Sequence, residues 1–322
     1  MIVLFPRYQQ CRSLTLIRGL SSIKPVVYDT LKRYNSSSVT AKASAVVLNE
    51  LKLSNETTIA FTREGDLDSD VVIVACHGGP GSHNDFKYIA ESLNETMKGK
   101  PYQFLRFDLP GYGKSSRAKS SVASAKYYST SVIETLNQLG IINKRIVVIG
   151  HSLGGHIAMD MSKRASLTGI ILLASVSCRP HRALGNEFGF KISKFLGMNI
   201  NHSIFGGLVK SYLEFYYKKI LGFPKNANKD EIAWTQERVA YLDFNEFTSQ
   251  VKSLQCPVLF AYALDDKLLE PPIFHELANY IVSNKNIKNN KIIEYPDGGH
   301  NIQKTKAANL GIEIKNWITN IL

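Results

Sequence analysis

From about residue 45 to the end of the chain, apolar positions follow two alternating rhythms. Continuous apolar runs such as Val71-Val72-Ile73-Val74-Ala75-Cys76 and Ile146-Val147-Val148-Ile149 read as strands buried on both faces. Between them, apolar residues recur three and four apart, as in Phe86, Ile89, Ala90, Leu93 and Met97, which is the spacing of a one-faced helix. The same spacing predicts helices over residues 122–139, 154–165, 272–282 and 303–321. Short runs at 103–107, 172–176, 257–262 and 292–295 predict further strands. Residues 46–53 and 57–62, joined by Ser54-Asn55-Glu56, read as an antiparallel pair at a sheet edge. Strand alternating with helix over this length predicts an α/β architecture, a doubly wound and mostly parallel sheet. In such a sheet, sites form beyond the carboxyl ends of the strands.

One stretch breaks the alternation. Residues 179–253 read as helical, and 13 of these 75 residues are aromatic, against 19 of the other 247. An insertion placed after the sixth strand-like segment of the main sheet, the run at 172–176, would roof the strand ends. The domain layout expected is therefore an N-terminal segment at 1–40, a core at 45–178 and 254–322, and a helical cap at 179–253.

Charge changes the picture at the N-terminus. The formal net charge is +12. Arg7, Arg12, Arg18, Lys24, Lys32 and Arg33 against the single acid Asp29 place five of those charges in the first 40 residues. Apolar residues lie between the arginines, and Arg7, Arg12 and Arg18 interrupt any secretory-type apolar core, so the segment reads as a mitochondrial transit peptide, with a cytoplasmic basic tail as the alternative. The remaining excess is scattered. No dense Lys/Arg run points to nucleic acid, and a peripheral contact with a membrane is the macromolecular partner compatible with it. No apolar run is long enough to span a bilayer. Cys11, Cys76, Cys178 and Cys256 show no metal-binding spacing, which suits free thiols in a reducing compartment. No metal and no cofactor is expected, since a dinucleotide fingerprint is also absent.

Four motifs fall just past four of the expected strands. Gly150-His151-Ser152-Leu153-Gly154 has the G-x-S-x-G spacing of a strand–turn–helix elbow, which lifts a serine hydroxyl above the sheet. Its glycines give room where chain segments crowd, and the helix that follows aims its N-terminal amides at a developing oxyanion. His77-Gly78-Gly79-Pro80-Gly81 can turn backbone N–H groups toward a ligand, so the Gly79 and Leu153 amides are the candidate oxyanion donors. His77 and His151 read as loop and pocket residues, and His156 as buried and hydrogen-bonded. Asp265-Asp266 offers two candidates for a carboxylate that orients a base. Gly298-Gly299-His300 places a histidine on a loop near the C-terminus. The order Ser152, acid, His300 differs from the orders of chymotrypsin and subtilisin.

On these motifs the chain resembles the α/β-hydrolase superfamily of serine hydrolases from about residue 45 onward. Asp108-Leu109-Pro110-Gly111-Tyr112-Gly113-Lys114-Ser115 is similar to the D-x-P-G-x-G-x-S run of those enzymes, with Asp108 in a structural role. The distance from acid to Pro271 in similar hydrolases selects Asp266. The resemblance implies Ser152 as nucleophile, His300 as base, and an acyl-enzyme formed without a cofactor. With the aromatic cap, for instance Phe215, Tyr216 and Trp234, it implies a small hydrophobic ester or thioester substrate, as in carboxylesterases and lipases. The His-Gly-Gly-Pro-Gly segment also resembles proline iminopeptidases, although Leu153 stands where those enzymes carry Trp. Residues 81–88 resemble a little-characterised group of nematode and protist α/β-hydrolases. Serine at position 152 argues against the dehalogenases and epoxide hydrolases, which use Asp there. The alternatives are an aminopeptidase, or a hydrolase fold used only for binding.

Overall fold

The computed structural model describes residues 47–117, 122–185 and 187–322. The leader expected at 1–40 lies outside the described residues. The strands are β1 (Leu48–Lys52), β2 (Thr58–Gly65), β3 (Val71–Cys76), β4 (Gln103–Asp108), β5 (Arg145–His151), β6 (Gly169–Leu173), β7 (Val258–Ala263) and β8 (Lys291–Tyr295). They form one sheet in the order β1-β2-β4-β3-β5-β6-β7-β8. β2 pairs antiparallel with both β1 and β4, and every pairing from β4 to β8 is parallel. Strands β3, β4, β6 and β7 are buried at every residue. Helices cover both faces of the sheet, so the apolar runs lack alternation.

The helices are α1 (Lys87–Thr96), α2 (Ala125–Gln138), α3 (Gly154–Ser162), α4 (Glu187–Met198), α5 (Gly206–Phe215), α6 (Lys229–Ala240), α7 (Phe244–Ser253), α8 (Pro271–Ser283), the one-turn α9 (Ile302–Thr305) and α10 (Ala307–Ile321). Ser124 caps α2 by accepting from the Tyr127 N–H, and Asn228 caps α6 by accepting from those of Asp230 and Glu231. Each satisfies donors that the first turn leaves unpaired.

Three boundaries differ from the sequence reading. The strand expected at 172–176 is Gly169–Leu173, because its pairing with β5 sets Gly169 opposite Val147 and Leu173 opposite His151. The expected helix at 303–321 is broken at Lys306. Thr305 Oγ1 donates back to the Gly298 carbonyl at 2.7 Å and closes the loop that carries His300. The separate layer is also smaller than 179–253. Helix α7 buries Phe244, Phe247 and Val251 in the core of the sheet, beside α3 and α8. Helices α4 to α6 and the chain between them gather around a small core of their own, Ile200, Leu213, Tyr217, Ile232 and Ala233. The 244, 247, 251 spacing gives α7 a single apolar stripe that suits a flat sheet.

Candidate active site

Ser152 stands between β5 and α3 with φ of +53°, a left-handed conformation that is uncommon for a residue with a side chain. Its N–H donates to the Leu173 carbonyl at 3.0 Å, and its carbonyl accepts from Gly155 and Val176 at 3.0 and 3.2 Å. The turn is thereby pinned to β6. A methyl group at position 154 would overlap the Cys76 carbonyl oxygen, and one at 150 would meet the backbone of Gly154 and Gly155. The two flanking glycines are required by close approach of chain segments.

His300 Nδ1 lies 2.8 Å from Asp266 Oδ2. Since the carboxylate accepts, this contact fixes the proton on Nδ1 and leaves Nε2 as the unprotonated nitrogen of the neutral ring. Asp266 is buried, and its other oxygen accepts from the Leu268 and Leu269 N–H groups at 2.8 and 3.0 Å. Burial pushes its pKa up, but hydrogen bonds from His300 and the two amides outweigh burial and hold it below the usual carboxylate range. Asp265 instead accepts the Gly299 N–H at 2.7 Å and shapes the loop below the histidine. Ser152 and His300 face one cavity. Among the described residues, no hydrogen bond joins Ser152 Oγ to His300, as is common for such pairs without substrate.

The 77–81 loop, in which the Gly79–Pro80 peptide is cis, is held from behind. The His77 ring is buried. Its Nδ1–H donates to the Gly78 carbonyl at 2.7 Å and its Nε2 accepts the Leu109 N–H at 3.0 Å, so one neutral tautomer ties the end of β3 to the end of β4. Burial and the charge of Arg238 push its pKa down to about 4. Arg238, buried on α6, donates to the same Gly78 carbonyl at 2.9 Å. That carbonyl and the Gly79 N–H belong to one peptide unit, so a cation on the oxygen polarises the N–H at the other end. A side chain at position 79 would collide with Thr235 of α6. Gly79 and Leu153 both line the cavity, and neither N–H has a hydrogen-bond partner among the described residues.

Helix α6 was not singled out in the sequence. Glu231, Thr235 and Arg238 fall at i, i+4 and i+7, a polar stripe that resembles a solvated face. Thr235 and Arg238 are buried, and Glu231 is half-buried and faces the cavity. Glu237 is also buried, in a bidentate pair with Arg117 at 2.6 and 2.8 Å. His151 Nε2 donates to the His300 carbonyl at 3.0 Å. Burial and the neighbouring His300 push its pKa down to about 3, so it supports the His300 loop as a neutral ring. His156 is stacked on Phe247 at 4.4 Å, and its Nε2 has no partner among the described residues, so only part of its expected hydrogen bonding is present. Asp108 accepts from both the His83 N–H and ring, and from the Lys114 N–H, which makes it an anchor for two loops.

The cavity measures about 560 Å³, within the range of small-molecule sites. Of the three cap aromatics named from the sequence, Tyr216 lines it. Phe215 points outward and is 58% exposed, while Trp234 packs edge-on against Tyr112 instead. Tyr217, Leu221 and Phe223 complete much of the apolar wall.

Similarity to known proteins extends over most of the chain. The chain is 23% identical to an uncharacterized protein of Caenorhabditis elegans, over 91% of this chain and 89% of that one. It is 31% identical to the phospholipase YtpA of Bacillus subtilis over 31% of this chain and 39% of that one. The structure of a thermophilic esterase from Thermogutta terrifontis superposes with a TM-score of 0.61 and 17% identity, over 85% of this chain and 99% of that one. A family model described as alpha/beta hydrolase of unknown function (DUF1057) matches residues 62–306. The elbow, the acid–histidine pair and the glycine loop all lie within that span, and the chain is a hydrolase of this α/β-hydrolase family.

Proposed function

We propose that this hydrolase cleaves a hydrophobic carboxylic ester or thioester through an acyl-enzyme on Ser152. The observation that carries the reading is the shared cavity. It brings a strained serine at the end of β5 together with a histidine whose proton is fixed on the far nitrogen by Asp266. Ser152 Oγ attacks the acyl carbon while His300 Nε2 takes its proton. The Gly79 and Leu153 N–H groups hold the oxyanion. Collapse breaks the bond to the alcohol or thiol, which leaves with that proton. Water then attacks the acyl-enzyme, again giving its proton to His300, and releases the acid and free Ser152. Asp266 orients the ring and stabilises the imidazolium formed in both halves. The apolar wall supports a hydrophobic acyl or alcohol portion.

The test is labelling by a fluorophosphonate probe, with Ser152→Ala as control. Labelling of the parent protein and loss of both labelling and p-nitrophenyl ester turnover in the variant is the expected result. A variant that hydrolyses such esters near the parent rate would overturn the nucleophile.

One observation favours a second reading. Glu231, half-buried at the cavity, has no cationic partner among the described residues, and burial raises its pKa. A carboxylate so placed suits a substrate ammonium group, as an aminopeptidase would need. Proline p-nitroanilide turned over faster than p-nitrophenyl esters, and lost selectively in Glu231→Gln, would favour that reading.

A further inference from the structure

The cap is aromatic-rich, yet much of that surface faces away from the cavity. On α4, Phe188, Ile192, Phe195 and Met198 are 65, 41, 65 and 57% exposed. On α5 and the turn before it, Phe205, Leu208, Tyr212 and Phe215 are 56, 72, 52 and 58% exposed, with Ile204 at 74%. Both sets follow the three-and-four spacing of a helix face. Both helices pack against α6: Gln236 donates to the Ser193 carbonyl of α4 at 2.7 Å, and Leu213 of α5 meets Ile232 in the cap core. Each helix packs one side inward, Leu196 of α4 and Val209 and Leu213 of α5 among it, and still carries a second apolar side that faces outward, where a helix bordered by water is polar. Exposed apolar surface this extensive marks a contact.

Charge selects the occupant. Between residues 187 and 229 the chain has seven lysines and two glutamates. Lys210 and Lys218 pair with Asp230 and Glu214. Lys191, Lys194, Lys219 and Lys225 are exposed and have no acidic partner among the described residues. Lys191 and Lys194 lie on the outward side of α4, among its phenylalanines. A second copy of the same face would bring like charges together, and so would the first 40 residues, which carry an excess of five positive charges. Apolar side chains flanked by lysines match the boundary between acyl chains and anionic headgroups. The face is also continuous with the cavity, since Tyr212 stacks on Tyr216 at 6.2 Å and Tyr216 is part of the cavity wall.

We infer that the outward faces of α4 and α5 dock on an anionic lipid surface, with the cavity mouth beside the lipid. This inference rests on the surface alone and stands whether or not Ser152 is the nucleophile.

The test is co-sedimentation of the full chain with phosphatidylcholine vesicles, with and without phosphatidylserine. Binding is expected to require phosphatidylserine and to weaken with salt. The combined change Phe195→Glu, Leu208→Glu and Phe215→Glu is expected to lower partitioning at least about tenfold. A second protein with Lys191→Glu, Lys194→Glu and Lys219→Glu is expected to lose the preference for phosphatidylserine. Both should keep the parent circular dichroism and melting profile, because every changed residue is exposed. No vesicle binding by the parent chain overturns the inference. So does undiminished binding by both variants, which would assign the contact to another part of the chain. Light scattering that shows a dimer, dissociated by the apolar-face variant, would assign the face to a second copy.

Discussion

Helix α6 and the pair α4–α5 belong to one insertion, but they are attached by different physics. Helix α6 is fixed to the core by buried polar contacts: Arg238 to the Gly78 carbonyl, Glu237 to Arg117 and the Ala123 N–H, and Thr235 to the Tyr112 hydroxyl at 3.1 Å. Helices α4 and α5 rest on α6 through a small apolar core and present apolar side chains to the outside. Buried polar contacts have strict geometry and are costly to leave half-made, so α6 is held in place as part of the floor of the proposed site. Apolar contacts are tolerant of sliding. The lesson is that one inserted layer can be held in two ways, by fixed polar contacts on its inner helix and by apolar packing beneath its outer pair.

This division is most sharply tested from the chemical side. Asp266→Asn is expected to lower kcat by about 10⁴, because an amide cannot hold the tautomer that leaves Nε2 of His300 free. Asp265→Asn should cost far less, since Asp265 accepts the Gly299 N–H and, among the described residues, does not hydrogen-bond His300. Steady-state ester kinetics on the two variants check this, and equal losses would reverse the assignment. Arg238→Met comes next. If α6 belongs to the floor, kcat should fall by roughly 10- to 100-fold with KM little changed, as expected for a weakened oxyanion donor. A change in KM alone would return Arg238 to the role of cap packing.

Acid sensitivity tests the floor by stability instead. Burial, ahead of neighbouring charges, pushes His77 and His181 down to about 4, and His151 and His156 to about 3, from an ordinary 6.5. Between pH 6.5 and 4 the unfolded chain therefore binds protons that the folded chain refuses. Stability is fully present above pH 6.5 and falls as pH is lowered, by about 1.4 kcal/mol per pH unit for each ring. The depressed carboxyl of Asp266 adds a loss of the same sign at lower pH. Calorimetric melting between pH 7 and 4.5 should show Tm dropping steeply, and a flat profile would count against the buried neutral rings. The smallest effect belongs to the wall. Tyr216→Ala should weaken turnover of long-chain esters by about tenfold relative to acetate esters, in line with the 1–3 kcal/mol that an apolar contact supplies. A uniform loss across chain lengths would indicate a folding role.

Much of the core was legible because its signals are local. An apolar run, a three-and-four spacing, or a glycine where chain segments touch each depends on a few adjacent residues. The α/β class, the elbow at Ser152 and the His-Gly-Gly-Pro-Gly loop follow from such signals, although the end of β6 shifted by three residues because pairing with β5 sets its register. The sequence by itself thus determined the sheet, the loops at its strand ends and the residue types gathered there. Only the tertiary structure decided that Asp266 and not Asp265 meets His300, that a polar stripe on α6 turns inward with Arg238 on the Gly78 carbonyl, and that Phe215 faces out while Tyr216 faces in. The physical reason is range. Periodicity reveals that a helix has two faces, but which face is buried depends on partners distant in sequence: Arg238 lies 160 residues from the carbonyl it holds.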